Sequence, residues 1–266
     1  MNMSGSPQRP ALSAEDAESL QSQIAALRQQ QTQLFAGMAR SQQRFRRLAR
    51  SVWRVQEEER RRFARDLHDG LGQDITAILH QLVQIAEDPG LAGTAPARVQ
   101  RAIDLCARAL HDTRTLARML RPKILDDLGL CAALHWLGRN VSETSGFAVD
   151  IDCDEDFEDP AGDLATLVFR VAQEALNNVA KHARASHALV KVGARDGAIH
   201  LLIADDGRGF DQESVLSADP SESGSGLGSM RERVSLFGGR MTITSAIGEG
   251  TQVRAVLPLR GDLSDH

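Results

Sequence analysis

The chain has 266 residues, 42% of them hydrophobic and 25% charged, with a formal net charge of −5. This is an ordinary soluble composition, and its mixture of basic and acidic stretches argues against wholesale binding of nucleic acid. No run approaches the roughly 18 apolar residues of a membrane helix, and no signal-peptide core follows Met1, so the expected location is cytoplasmic. Aromatic residues make up 4% with no Tyr, which suits helices better than a β-sandwich core. The cysteines, Cys106, Cys131 and Cys153, show no CxxC spacing and read as reduced thiols.

Residues 1–12, with their Pro, Ser and Gly, predict a disordered tail. A long helix then begins. Leu20, Ile24, Leu27, Gln31, Leu34, Met38, Ser41, Phe45, Leu48, Val52 and Val55 recur in alternating steps of four and three. That a/d seam over residues 13–56 predicts a parallel coiled coil with the same helix of a second subunit. The arginines between Arg44 and Arg65 alternate with Gln and Glu and read as a solvated coil face.

Residues 57–122 predict a helical hairpin. Its first helix keeps an apolar stripe (Phe63, Leu67, Leu71, Ile75, Ile78, Leu82, Ile85) through to about Glu87. His68 and Asp69 lie off that stripe, beside Gly70 and Gly72, each of which costs a helix interior about 1 kcal/mol against Ala. Alone, this stretch does not decide between a reactive histidine and a surface one. Asp88-Pro89-Gly90 ends the helix, residues 88–96 form the turn, and a second helix runs from about 97 to 120 before Arg121-Pro122. Two such hairpins make a dimeric four-helix bundle. A connecting helix is expected within 123–145.

Residues 146–260 read as an α/β domain, with a short tail at 261–266. A strand is expected at 147–153. A strongly amphipathic helix follows over 163–183, with Leu164, Leu167, Val168, Val171, Ala175 and Val179 inside. Its other face carries Glu174, Asn178, Lys181 and His182. Two strands, 188–194 and 198–204, flank the turn Arg195-Asp196-Gly197. Then comes the loop Asp205-Asp206-Gly207-Arg208-Gly209-Phe210. Residues 211–223 look like a mobile lid. Gly224-Ser225-Gly226-Leu227-Gly228 opens a helix to Phe237, capped by Gly238-Gly239, and strands follow at 240–245 and 251–259.

A glycine-rich helix start presents N–H groups at the positive end of the helix dipole, an anion site for which phosphate is the usual guest. Asp205, at a strand end before two glycines, can accept a hydrogen bond from the amino group of adenine. The oxygens of Asn178 and Glu174, one turn apart, suit Mg²⁺, which bridges to phosphates, and Lys181 can neutralise phosphate charge. Taken singly, each of these residues also fits a solvated polar surface.

The chain resembles a sensor histidine kinase of two-component signalling, of the NarX/DesK-like subfamily that pairs with LuxR/NarL-type response regulators. The motifs are ARDLHDGLGQ (64–73), QEALNNVAKHA (173–183), DDGRGF (205–210), GSGLGSMRERV (224–234) and GGRMTITSAIGEGTQVRAVLPL (238–259). The resemblance implies a phosphotransfer hairpin followed by an ATP-binding domain of the GHKL type, an α/β sandwich. It implies that His68 is the phosphoacceptor and that Asp69 orients its ring or takes its second proton. Gln73 would orient a water in dephosphorylating the partner regulator. Asn178 and Glu174 would hold Mg²⁺; Lys181 and His182 would lie by the nucleotide. Asp205 would read adenine, with Gly207 and Gly209 giving it room. Gly224, Gly226, Leu227 and Gly228 would wrap the triphosphate of ATP, and Thr251 would lie near the phosphates or an adenine-bound water. Many relatives place the third lid glycine where this chain has Ser229. No recognisable sensor domain precedes the hairpin, so the coil is expected to receive its signal from elsewhere. The alternatives are another GHKL-type ATPase, an anti-sigma-like serine kinase, or a non-catalytic dimeric scaffold.

Overall fold

The computed structural model describes residues 14–88, 90, 95–120, 123–154, 157–160, 162–211 and 226–259, without the side chains of 14–25, 39, 68, 118, 119 and 123. The expected tails, Arg121-Pro122, most of the hairpin turn, the lid and Gly224 lie outside the described residues. The chain forms two compact units, residues 1–51 and 52–266.

Helix α1 spans Ala14–Asp66. On its seam Leu27, Leu34, Met38, Phe45 and Leu48 are all exposed. A stripe this apolar has no packing partner along the described part of residues 1–51 itself. A π turn, Leu67–Leu71, interrupts the helix, and α2 continues over Gly72–Ala86. The sequence predicted an unbroken α-helix here. The correction falls where Gly70 and Gly72 weaken the α-helical preference, so one wide turn is accommodated.

Helix α3, Ala95–Leu120, packs along α2. Ala64, Leu110 and Ala117 are buried, while Phe63, Leu71, Ile78, Val83, Ile85, Leu105 and Leu116 stay exposed. The connecting segment is two helices rather than the single one expected, α4 (Lys123–Asp127) and α5 (Gly129–Ser145). The break has a plain cause. Gly129 takes a left-handed φ of +83° and packs directly on the Asp159 carboxylate. Asp159 Oδ2 then accepts the Leu130 N–H at 2.8 Å, placing an anion at the start of α5.

Five strands form one sheet in the order β1-β2-β3-β5-β4. They are β1 (Ala148–Cys153), β2 (His187–Arg195), β3 (Ala198–Asp205), β4 (Arg240–Ser245) and β5 (Thr251–Pro258). The β1–β2 pair is parallel and the other pairs are antiparallel. The β2–β3 hairpin turns on Asp196 and Gly197, both at positive φ, as its Asp-Gly pair predicts. Helices α5, α6 (Asp163–Asn178) and α7 (Gly226–Leu236) cover one face of the sheet. Alternate strand residues such as Val190, Val192, Ile199, Leu201, Ile203, Val253 and Leu257 point into that core, against Leu134, Leu167, Phe169, Leu176, Met230 and Val234. The result is the expected helical part followed by a two-layer α/β sandwich.

The cysteine reading is corrected. Packing of α5 against the edge strand β1 brings the Cα atoms of Cys131 and Cys153 to 6.2 Å, and the two are disulfide-bonded. Cys106 remains a free thiol.

Phe169 is fully buried at the centre of α6. Phe169→Ala should therefore lose about 3–5 kcal/mol of unfolding free energy, read by chemical denaturation.

Candidate functional site

His68 stands in the π turn between α1 and α2, though its side chain lies outside the described residues. Asp69 beside it is exposed, as is Gln73 at the start of α2. A methyl group at Gly70 would meet nothing within 4 Å, whereas Gly72 is buried over the Leu67 carbonyl. Below the turn, Gly72, Gln73, Thr76, Ala77, His80 and Arg114 line a cleft of about 310 Å³ between α2 and α3.

Most of the second group of candidates is brought together at the end of α6. Its apolar side holds Leu167, Val168, Val171, Ala175 and Leu176 in the core, which turns Glu174 and Asn178 to the half-buried margin. A second π turn, Val179–Ala183, follows Asn178 directly, where the sequence predicted continuous α-helix. It carries Lys181 and His182 at the exposed edge. Gly226 opens α7 directly over these groups. A Cβ there would lie 2.4 Å from Glu174 Oε1 and 3.4 Å from Asn178 Nδ2. The Asn178 Nδ2 is buried and has no hydrogen-bond partner among the described residues. Leu227 packs against the core, and Gly228 faces open space.

The two adjacent aspartates do opposite things. Asp206 turns outward and pins the start of β2, accepting from the Ser186 N–H (2.8 Å), the Ser186 hydroxyl (2.5 Å) and the His187 N–H (2.9 Å). These donors, the Ser186 hydroxyl first, hold its carboxyl below the ordinary range. Asp205 turns inward at the end of β3, half-buried, opposite Thr251 in the β3–β5 register. Burial pushes its carboxyl above the ordinary range, against the N–H of Gly207 at 2.9 Å and the backbone and hydroxyl of Thr251. Thr251 Oγ1 also meets Ser245 Oγ at 3.2 Å.

Two glycines expected to give a ligand room are demanded by the fold itself. A Cβ on Gly207 would collide with Ala183 and Asp205. Gly209 adopts φ +58°, and its Cβ would sit 1.9 Å from the Ala246 carbonyl oxygen. Arg208 ties the loop to the π turn: its Nε donates to the His182 carbonyl at 2.7 Å and its backbone N–H to the Ala183 carbonyl at 2.8 Å. Ser245 holds the other side, accepting the Phe210 N–H and donating to the Gly250 carbonyl.

One constellation escaped the sequence reading. Arg170, one turn before Glu174 on α6, is buried and donates to both carboxylate oxygens of Glu57 on α1, at 2.7–3.1 Å. It also donates to Gln173 Oε1 and to the carbonyl of Leu120, the last residue of α3. Nearby, Trp53 is buried against Phe237 at 5.1 Å in an edge-to-face contact, Arg54 pairs with Asp163, and Arg61 with Asp126. Arg170 looked like one more polar residue, and no local pattern joins it to a glutamate 113 positions earlier.

Two protein-family models match the chain. Residues 59–125 match a family described as histidine kinase, and residues 163–261 match histidine kinase-, DNA gyrase B-, and HSP90-like ATPase. The chain is 35% identical to the sensor histidine kinase MctS of Rhizobium johnstonii, over 81% of its own length and 46% of the relative's. It is 37% identical to the signal transduction histidine-protein kinase/phosphatase UhpB of Salmonella typhimurium, over 80% and 41%. With DegS of Brevibacillus brevis, also named a histidine-protein kinase/phosphatase, it shares 32%, over 78% and 53%. The chain thus spans about half the length of these relatives. Among the described residues no helix is long and apolar enough to cross a membrane.

A carboxyl whose folded pKa is raised costs stability once it ionises, and that cost grows as pH rises through the folded value. Asp205→Asn keeps the acceptor oxygen for Gly207 and removes the charge. The variant should melt a few degrees higher than the parent at neutral pH, and the difference should vanish as pH falls below about 4. Thermal melts at several pH values measure this.

Proposed function

Because the chain belongs to the sensor histidine kinases of two-component systems, within the NarX-like subfamily, we propose that it autophosphorylates His68 from ATP. The phosphoryl group then passes to an aspartate of a response regulator of the LuxR/NarL type. The observation that carries this reading is the buried amide nitrogen of Asn178, without a hydrogen-bond partner among the described residues, one turn from Glu174 and under the glycine that opens α7. A buried amide without a partner costs about 1–3 kcal/mol, a burden expected where a ligand completes the set.

In this reading a neutral ring nitrogen of His68 attacks the γ-phosphorus of ATP. The bond from that phosphorus to the bridging oxygen breaks, and ADP leaves with the electron pair. Asp69 orients the ring and takes the proton that the second nitrogen sheds. Asp205 accepts the adenine amino group. The N–H groups at the start of α7 and the glycines Gly224, Gly226 and Gly228, with Leu227, hold the triphosphate. Lys181 supplies positive charge at its edge, His182 lies beside it, and Thr251 braces Asp205. Mg²⁺ fits the oxygen donors of Asn178 and Glu174, and when bound it supplies charge neutralisation across the phosphates.

Gln73 follows Asp69 by four residues at the same exposed turn, and we assign it the positioning of a water that hydrolyses the regulator's phosphoaspartate. The exposed apolar stripes of α1, α2 and α3 support a homodimer, joined as a coiled coil and a four-helix bundle, which we place in the cytoplasm.

Incubation with labelled ATP and Mg²⁺ should place an acid-labile label on the wild-type chain and none on a His68→Gln variant. Label that persists in that variant overturns the assignment. Asn178→Asp sets a second carboxylate against the phosphates, so the Mg²⁺–nucleotide Kd should rise roughly tenfold or more. A calorimetric titration measures this, and an unchanged Kd removes Asn178 from the site.

A further inference from the structure

Helix α5 lies along the edge strand β1, and a glycine lets it come close. A Cβ on Gly138 would meet the side chains of Ile151 at 2.9 Å and Val149 at 3.3 Å, so a residue without one seats the helix on the strand. Cys131 stands two turns before Gly138, and Cys153 two residues after Ile151 on the same side of β1. The seat at Gly138 thus carries the two sulfurs into bonding reach of each other. In the sheet β1 pairs with β2 alone. The bond therefore ties down a strand that the sheet holds on one side.

Other contacts bring the cysteines together and do not depend on the bond. Asp159 holds the first turn of α5 through the Leu130 N–H at 2.8 Å. Leu130, Leu134 and Leu137 fix the helix in the core. At the end of β1 the Asp154 N–H donates to the Val192 carbonyl at 3.0 Å, and Lys191 on β2 pairs with Asp152 at 2.6 Å. Opening the bond leaves all of these in place, so the two thiols stay facing each other. Both cysteines are half-buried rather than sealed, which leaves the sulfurs within reach of a small thiol. Cys106, the free thiol, belongs to α3 in the hairpin.

We propose that Cys131 and Cys153 form a reversible dithiol–disulfide site, through which the thiol redox state of the cytosol sets the stability of the α/β sandwich. The inference rests on the cytoplasmic placement and not on the phosphotransfer chemistry. Cytosolic glutathione and thioredoxin reduce the disulfides they can reach, so a bond formed there is conditional. Its oxidant is a small-molecule disulfide of the glutathione kind. One cysteine thiolate attacks a sulfur of that disulfide and releases one glutathione. The second cysteine then attacks the mixed disulfide and releases the other. Two protein thiols are oxidised, one glutathione disulfide is reduced, and the two thiol protons pass to the two glutathiones. The joined residues are 22 positions apart, so the bond closes a loop that the unfolded chain otherwise leaves open, and the folded state gains by it.

The test uses the full chain with Cys106→Ser, so that only the pair reports. Glutathione disulfide should protect both cysteines of the reduced chain from alkylation, with no glutathione retained in the intact mass. Thioredoxin with its reductase and NADPH should then restore two alkylated thiols without denaturant. The oxidised form should melt several degrees above the reduced form. Cys131→Ser and Cys153→Ser should each melt with the reduced form at every glutathione ratio. If these variants do not fold, the oxidised and reduced parents still carry the comparison. Thiols that are never protected, or one glutathione kept per chain, overturn the site. A bond that thioredoxin leaves intact in the folded chain is a permanent staple and overturns its reversibility. Equal melting temperatures overturn its hold on the sandwich. A pair that cycles in vitro yet is wholly oxidised when thiols are trapped in unstressed cells upholds the site and overturns the cytoplasmic placement.

Discussion

A guanidinium in a protein interior has to be matched donor by donor, and that requirement shapes the junction between the helical hairpin and the sandwich. Arg170 sits on a stretch of α6 whose neighbours, from Ala165 to Ala172, are all buried. Its donors are taken by Glu57, Gln173 and the Leu120 carbonyl. Removing one member of such a pair costs about 3–5 kcal/mol, because the other charge stays buried. Apolar contacts alone would let the two halves slide over one another, whereas bidentate geometry admits one register. The position of α6 relative to α1 is thus set by an interaction made upstream of both Asn178 and His68.

Parts of this architecture were legible in the sequence because they repeat a local rule. The strands of the sandwich are buried on one face, so Val190, Val192, Ile199, Leu201 and Ile203 announced themselves by alternation. The β2–β3 turn followed from Asp196-Gly197, and the exposed seam of α1 from its heptads. What stayed hidden depends on partners distant in sequence. The break before α5 needs Asp159, the Cys131–Cys153 bond needs α5 seated on an edge strand, and Arg170 needs Glu57. Asp205 and Asp206 are identical in sequence and opposite in role, because neighbouring residues at a strand end point to opposite sides.

The two π turns have a different origin. Each falls within a motif that the sequence singled out, LHDGL at 67–71 and VAKHA at 179–183. A π turn has poorer geometry than the α-helix around it and persists where something other than helix stability selects it. Periodicity cannot find such turns, since one inserted residue shifts the apolar stripe by less than its own width. In the second turn the carbonyls of His182 and Ala183 are turned to Arg208. The extra residue thereby connects α6 to the loop that carries Asp205.

The glycines of the motifs separate by what demands them. Gly207 and Gly209 are required by their own surroundings, for a Cβ would strike the backbone of Ala183 or Ala246. Gly70 and Gly228 have open space where a Cβ would stand, and Gly70 still carries the helical cost of a glycine. Internal packing therefore accounts for the first two and leaves the last two without a reason among the described residues. They flank His68 and the start of α7, the two places where the proposed reaction brings a second body close. A glycine kept where the fold has room for a side chain is the mark expected of a surface that something else must approach.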